Sequence, residues 1–422
     1  MSGPEIITLG CRLNIAESAA MAELARDDDN VVIVNSCAVT AEAVRQTRQA
    51  IRRAHRRRPD ARVIVTGCAA QTDPTMFAAM PEVDLVLGNE EKLQPSSFPY
   101  NRIPGTGGEA KIQVADIQTV RQIAPHLANA FSDRTRGFVV VQNGCDHRCT
   151  FCIIPYGRGP SRSLPAGAVV DRIKALVDGG MREVVLTGVD VTSYGADLPG
   201  GPTLGLLVER ILRGVPDLPR LRLSSLDGIE IDDRLFDLLA GEARVMPHVH
   251  LSLQAGDDLI LKRMKRRHNR AQAIDLVQRL HARRPEIAIG ADIIAGFPTE
   301  DDAMFEHSLN LVSQCRIVHG HIFPYSPREG TPAALMPQVD PIVVRERASR
   351  LRDACKAQRD RWLEDHTGAQ LDILVERGGQ DGHAPDFAPV HLSAPATPGK
   401  IVSARVVGVE NGRLIAQEER HG

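Results

Sequence analysis

The chain has 422 residues, 43% of them hydrophobic, enough for two or three domains with separate cores. A formal net charge of −2 excludes a surface coated in positive potential, so any contact with a polyanion has to be local. No window reaches the roughly 18 uninterrupted apolar residues of a membrane span, residues 1–10 have no export-signal pattern, and eight scattered cysteines do not make a disulfide scaffold; a cytoplasmic protein whose thiols ligate metal is the expectation.

In chain order, strand-like runs at 5–10, 31–34, 62–66 and 84–87 alternate with helical patterns, which predicts an open parallel α/β sheet in a first domain spanning 1–110. A helix is expected from near Thr40, and residues 45–62 hold eight arginines against one acidic residue, Asp60. Arg52, Arg53 and Arg56 fall on one face of that helix, where guanidinium forks match phosphate oxygens. The ordinary fate of such a run is a solvated helix face. Pro, Gly and Ser break the pattern at about 94–108, and a segment at 112–122 bridges to the next unit.

Six further strand-like runs, at 138–142, 183–187, 220–224, 249–254, 287–294 and 318–323, are each followed by a helical pattern. This predicts a partial (β/α)6 barrel over 131–362, with its functional groups at the carboxyl ends of the strands. A charged helix at 341–365 leads to short strands at 371–376, 388–392, 399–409 and 413–417, which predict a small β-barrel over 366–422.

Directly after the first barrel strand stands Gly144-Cys145-Asp146-His147-Arg148-Cys149-Thr150-Phe151-Cys152, a C-x3-C-x2-C run. Three thiolates hold three corners of a [4Fe-4S] cube and leave the fourth iron open for chemistry. A zinc site using His147 is the rival reading, although zinc ribbons usually pair C-x2-C units. Cys11, Cys37 and Cys68 each fall within a few residues of a predicted strand end, so a parallel sheet can deliver all three to one edge. Three unrelated core cysteines are the plainer alternative. Cys315 and Cys355 show no partnering pattern and read as structural.

The run from Cys145 to Cys152 resembles the radical S-adenosylmethionine (SAM) signature, with Phe151 in the place of the aromatic residue that lies near the adenine. The segments Thr8-Leu9-Gly10-Cys11, Asn35-Ser36-Cys37-Ala38 and Thr66-Gly67-Cys68-Ala69 resemble the cysteine segments of the methylthiotransferase family. Further matching stretches are Cys152-Ile153-Ile154-Pro155-Tyr156-Gly157-Arg158-Gly159, His250-Leu251-Ser252-Leu253-Gln254 and Phe323-Pro324-Tyr325-Ser326-Pro327-Arg328. Asn35 to Thr40, the arginine-rich helix and Arg222-Leu223-Ser224-Ser225-Leu226 look most like the branch acting on N6-threonylcarbamoyladenosine next to the tRNA anticodon. The branches acting on isopentenyl-adenosine or a ribosomal-protein aspartate look more distant. The chain departs from the family in Ser36, where Thr is usual, and in Thr299-Glu300, where the family has Gly-Glu.

The resemblance implies two [4Fe-4S] clusters. One, on Cys145, Cys149 and Cys152, generates the radical; the other, on Cys11, Cys37 and Cys68, handles the sulfur. It also implies two SAM molecules per turnover and a reductant protein such as a flavodoxin or ferredoxin. Gly188, Asp190, Ser224, Gln254 and Asp292, at strand ends, are candidate SAM contacts, although strand-end Gly and Asp are also ordinary turn formers. The last domain resembles the RNA-binding TRAM module loosely, through Gly382-His383 and Asp386-Phe387-Ala388-Pro389-Val390.

Overall fold

The computed structural model describes residues 3–98, 110–123 and 135–418. The breaker stretch expected at 94–108 and the start of the 131–362 span lie largely outside the described residues. In the first unit, Glu5–Thr8, Val31–Ser36, Arg62–Gly67, Leu85–Leu87 and Ile112–Gln113 form one parallel sheet in sequential order. Val31–Ser36 is buried at every position, as a parallel strand covered on both faces should be. Thr8 pairs with Asn35, Asn35 with Thr66 and Ser36 with Gly67. With strands about 4.8 Å apart, the ends that precede Cys11, Cys37 and Cys68 lie side by side.

Six strands then make an open arc in two parallel groups. Gly137–Val140, Glu183–Thr187 and Arg220–Leu223 form one; His248–Gln254, Ala288–Ala295 and Ile317–Pro324 form the other. Single bridges from Leu221 to Val245 and from Leu226 to Leu251 join them. The sheet domain and the arc share their cores. Leu13, Ala16 and Ala20 of the helix Arg12–Leu24 pack into the barrel core, while Met21 and Ala25 pack beneath the sheet. In return Ile153, next to Cys152, packs into the sheet domain's core. Buried side chains of the size of Leu13, Met21 and Ile153 contribute about 1.5–3 kcal/mol each, so hydrophobic packing holds the two cysteine trios in fixed relation.

The helix Pro341–Glu364 leads to a closed five-stranded barrel. One of its strands, Asp381–His383, is absent from the sequence expectation, because three residues centred on Gly382 carry no hydrophobic alternation. Phe387 of this barrel, at φ 72°, stacks on His383 with centroids 4.6 Å apart and sits 5.0 Å and 5.2 Å from the guanidinium carbons of Arg222 and Arg136. Arg222 also donates to the carbonyls of Pro385 (2.7 Å) and Ala384 (3.0 Å). Trp362 packs near His319 at a centroid distance of 5.1 Å, and Cys315 and Cys355 are buried. Thr299 stands at φ 69°, backbone that glycine adopts freely, and its hydroxyl accepts from Arg263 at 2.8 Å. Among the described residues, no helix is long and apolar enough to cross a membrane.

Candidate active site

Each cysteine segment of the sheet domain is shaped by close backbone approach. Gly10, at φ 93°, leaves no room for a side chain: a Cβ there would lie 2.9 Å from Cys37 Sγ. Gly67, at φ 95°, would place a Cβ 2.3 Å from the Ser36 carbonyl oxygen. Both positions accept glycine alone, since left-handed backbone and steric exclusion coincide. Gly67→Ala is therefore expected to cost about 1–3 kcal/mol and to lower the iron retained by the reconstituted protein; unchanged melting and iron content would contradict it. Cys37 and Cys68 are buried, and Cys11 is exposed at the rim. Burial pushes the Cys37 thiol up to about 11. Dense protein around Cys11 raises its thiol too, against the pull of Arg158.

The barrel trio rests on a loop pinned at several points. Gly144, at φ 75°, would drive a Cβ to 1.9 Å from the Pro160 carbonyl oxygen. The Cys145 amide donates to the Gly159 carbonyl (3.0 Å), the Cys152 amide to that of Cys149 (3.1 Å), and the Thr150 hydroxyl to that of Arg263 (2.8 Å). Burial pushes the Cys152 thiol up to about 12, and burial followed by the Asp190 charge raises Cys145. Arg266 reaches to 3.7 Å from Cys149 Sγ. Thiols raised in this way stay protonated and unreactive unless a bound ion displaces the proton, and the buried Cys315 is raised in the same manner.

Asp190 Oδ2 lies 2.7 Å from His147 Nε2 and accepts from Ser193 Oγ at 2.7 Å; Asp190 Oδ1 accepts from Thr192 Oγ1 at 3.1 Å. His147, on the loop that carries Cys145, Cys149 and Cys152, is thus held by the carboxylate of Asp190 beyond the next barrel strand. Among the described residues, the donor groups that draw within 4.8 Å of one another are Cys145–His147–Asp190, His250–Asp292–His321 and His147–Asp227–Glu230; neither cysteine trio is one of them. A tetrahedral zinc with Zn–S near 2.3 Å needs its sulfurs about 3.8 Å apart. With sulfurs that do not all lie within 4.8 Å of one another, neither trio has the spacing of such a zinc site.

A cavity of about 270 Å³ lies beside the barrel trio, and Cys152 is the one trio cysteine among its lining residues. Val39 and Thr40, just after Cys37, form one wall, and Phe151, Cys152, Gln254 and Asp292 stand opposite. The structure therefore brings together Phe151, Gln254 and Asp292 from the sequence expectation, whereas Gly188, Asp190 and Ser224 do not line this space. Phe151 is steadied edge-on against Phe297, with centroids 6.4 Å apart. Burial opposes ionisation of Asp292, but His250 (3.0 Å) and His321 (3.3 Å) hold its carboxyl well below the usual carboxylate range. Cys68 is close enough to Cys152 to perturb its thiol.

Sequence reasoning missed a charged group buried between the trios: Glu17, Lys92 and Arg158, each at most 1% exposed. The available signal was Arg158 itself, inside the run Cys152-Ile153-Ile154-Pro155-Tyr156-Gly157-Arg158-Gly159.

The arginine-rich helix is Ala41–Arg57, with the Thr40 side chain accepting from the Ala43 amide at its start. Thr47, Ala50, Ile51 and Ala54 face inward, and Arg52, Arg53 and Arg56 are exposed on the other side. Arg52 Nε lies 3.8 Å from Glu82, while Arg53 and Arg56 form no ion pair among the described residues. Reversing the charge of all three is expected to weaken tRNA binding and to lower the slope of log affinity against log salt by about 0.7–0.9 for every phosphate that is no longer bound. An unchanged slope in a salt titration would leave the helix a solvated face.

Residues 139–312 match the Radical SAM superfamily, and residues 4–88 match a family described as "Uncharacterized protein family UPF0004". The chain is 50% identical over 416 residues to "Threonylcarbamoyladenosine tRNA methylthiotransferase MtaB" of Rickettsia prowazekii, covering 97% of this chain and 96% of that one. It is 34% identical over 384 residues to the Bacillus subtilis protein of the same name, covering 87% and 84%. Among solved structures it resembles the radical S-adenosylmethionine methyltransferase TsrM of Kitasatospora setae, with a TM-score of 0.50 and 18% identity over 77% of this chain and 68% of that one. That likeness concerns the fold alone.

Proposed function

The chain belongs to the radical-SAM tRNA methylthiotransferase family, and from that premise we propose that it places a methylthio group on C2 of N6-threonylcarbamoyladenosine next to the anticodon. The observation that carries the reading is the cavity lined both by Val39 and Thr40, which follow Cys37, and by Cys152 with its neighbours, since a substrate seated there touches one trio and the segment next to the other. Two [4Fe-4S] clusters, one per trio, supply the chemistry when bound: electron delivery to SAM at the barrel trio and sulfur at the sheet-domain trio.

The chain's own residues position and enclose. Phe151 offers a braced aromatic face beside Cys152 for the adenine of SAM, and Gln254 and Asp292 present polar groups on the same wall. Asp190, tied to His147, Thr192 and Ser193, keeps the cluster loop in shape. Gly188, whose Cβ would lie 2.6 Å from the Gln142 carbonyl oxygen, lets the next strand end approach that loop; Ser224 follows the third barrel strand, its amide bonded to Leu186. Ile153 and Ile294 help exclude water, which protects a radical from quenching. Arg52, Arg53 and Arg56 bind the tRNA backbone, and a reductant protein such as a flavodoxin or ferredoxin delivers the electrons.

Nucleoside mass spectrometry of tRNA from a strain lacking the gene tests this reading. The 2-methylthio form of N6-threonylcarbamoyladenosine should vanish while its unmodified parent accumulates, with recovery on complementation. Loss of the isopentenyl-adenosine product instead, or of a ribosomal-protein modification with tRNA unaffected, would replace the substrate.

A further inference from the structure

Arg158 ends the short helix Ile154–Arg158, which begins two residues after Cys152, and it is 1% exposed. Its guanidinium leaves the barrel and enters the sheet domain. Nε donates to Cys68 Sγ at 3.0 Å. On its other side the guanidinium pairs with Glu17, one contact at 3.0 Å, and donates to the Asn14 side-chain oxygen. Lys92 Nζ reaches the same Glu17 carboxylate at 2.6 Å and Asn89 Oδ1 at 2.6 Å, and Asn89 Nδ2 stands 3.9 Å from Cys68 Sγ. Glu17 and Lys92 are fully buried.

The charges in this pocket do not balance by themselves. Two cations face one carboxylate, leaving one surplus positive charge out of contact with water, which a folded protein sustains only beside an anion. The group that Arg158 touches and that is otherwise unmatched is the Cys68 sulfur. A thiolate bound to iron supplies the missing negative charge. Among the described residues, neither Cys11 nor Cys37 accepts a hydrogen bond from a cation, so the arrangement singles out one of the three.

We infer that Arg158 is a positioning residue of the reaction, through which the radical-generating half of the protein raises the reduction potential of the cluster held by Cys68; this rests on the proposal that Cys11, Cys37 and Cys68 ligate such a cluster. A hydrogen bond and a positive charge at a ligand sulfur stabilise the more negative, reduced state of an iron-sulfur cluster. Because Arg158 is covalently joined to the loop carrying Cys152, a shift of that loop on SAM binding moves the donor relative to Cys68.

The test is a redox titration of the anaerobically reconstituted full-length protein, followed by electron paramagnetic resonance. Arg158→Met removes the surplus cation and leaves Glu17 and Lys92 as a neutral pair, so the chain is expected to fold. The sheet-domain cluster should become at least tenfold harder to reduce at a fixed potential, about 59 mV for one electron. The barrel cluster should not move, and Arg158→Lys, which keeps the charge and loses the fork, should fall between. An unshifted sheet-domain signal in Arg158→Met with about eight irons would overturn the inference. Loss of that cluster from both variants would also overturn it, by making Arg158 a structural support. Cys68→Ala separates this from the underlying reading: if it too kept about eight irons, the cluster assignment itself would fail, whatever Arg158 does.

Discussion

Replacing Cys149 with alanine should abolish 5′-deoxyadenosine formation when the reduced protein meets SAM, and with it all methylthio product. The loss should exceed the roughly 10–100-fold that removal of a residue merely supporting a metal ligand costs, because the open-cornered cube needs all three thiolates. Iron should drop from about eight to about four per chain. Cys11→Ala gives the complementary result: SAM is still cleaved and methylthio product is lost. The two variants together separate the trios, since the fold keeps them on different domains. Full product from Cys11→Ala would remove the sheet-domain trio from the chemistry.

Glu17→Leu should be the most destabilising change outside the ligands. Leucine fills much of the space but strands Arg158 and Lys92, both buried, without their shared carboxylate. Breaking a buried ionic group from one side costs about 3–5 kcal/mol. At roughly 1 °C per kcal/mol for a cooperative unit of this size, melting should fall by on the order of 5 °C. The double change Glu17→Leu with Lys92→Met restores the original net charge and should recover a large part of the loss. Equal melting of the single and double variants would mean that volume, rather than charge, decides the effect.

The strand-helix rhythm made the architecture legible because buried parallel strands such as Val31–Ser36 open on β-branched runs, here Val31 to Val34. The six candidate ligand cysteines were legible through their place after strands, and the glycines Gly10, Gly67 and Gly144 before three of them acquire their reason from the structure: each backbone passes too close to a neighbour for a Cβ. The ionic group of Glu17, Lys92 and Arg158 was not legible. Its members come from three separate elements, and an isolated Glu or Lys in a sequence reads as surface, where such residues almost always lie. The His250–Asp292–His321 cluster escaped for the same reason: it depends on the lateral register of three strands, which no local pattern encodes.

The insertion of Phe387 among Arg136 and Arg222 has a practical side. A chain cut after Glu364 would lose more than any hold on RNA. It would uncork the arc of strands, leaving Arg222 without the two carbonyls it serves and His248 without the ring 5.3 Å away. An inactive truncated protein would thus report a damaged catalytic scaffold, and the question of what the last module holds is better put through single changes on its exposed strand face, such as Arg405 or Val407.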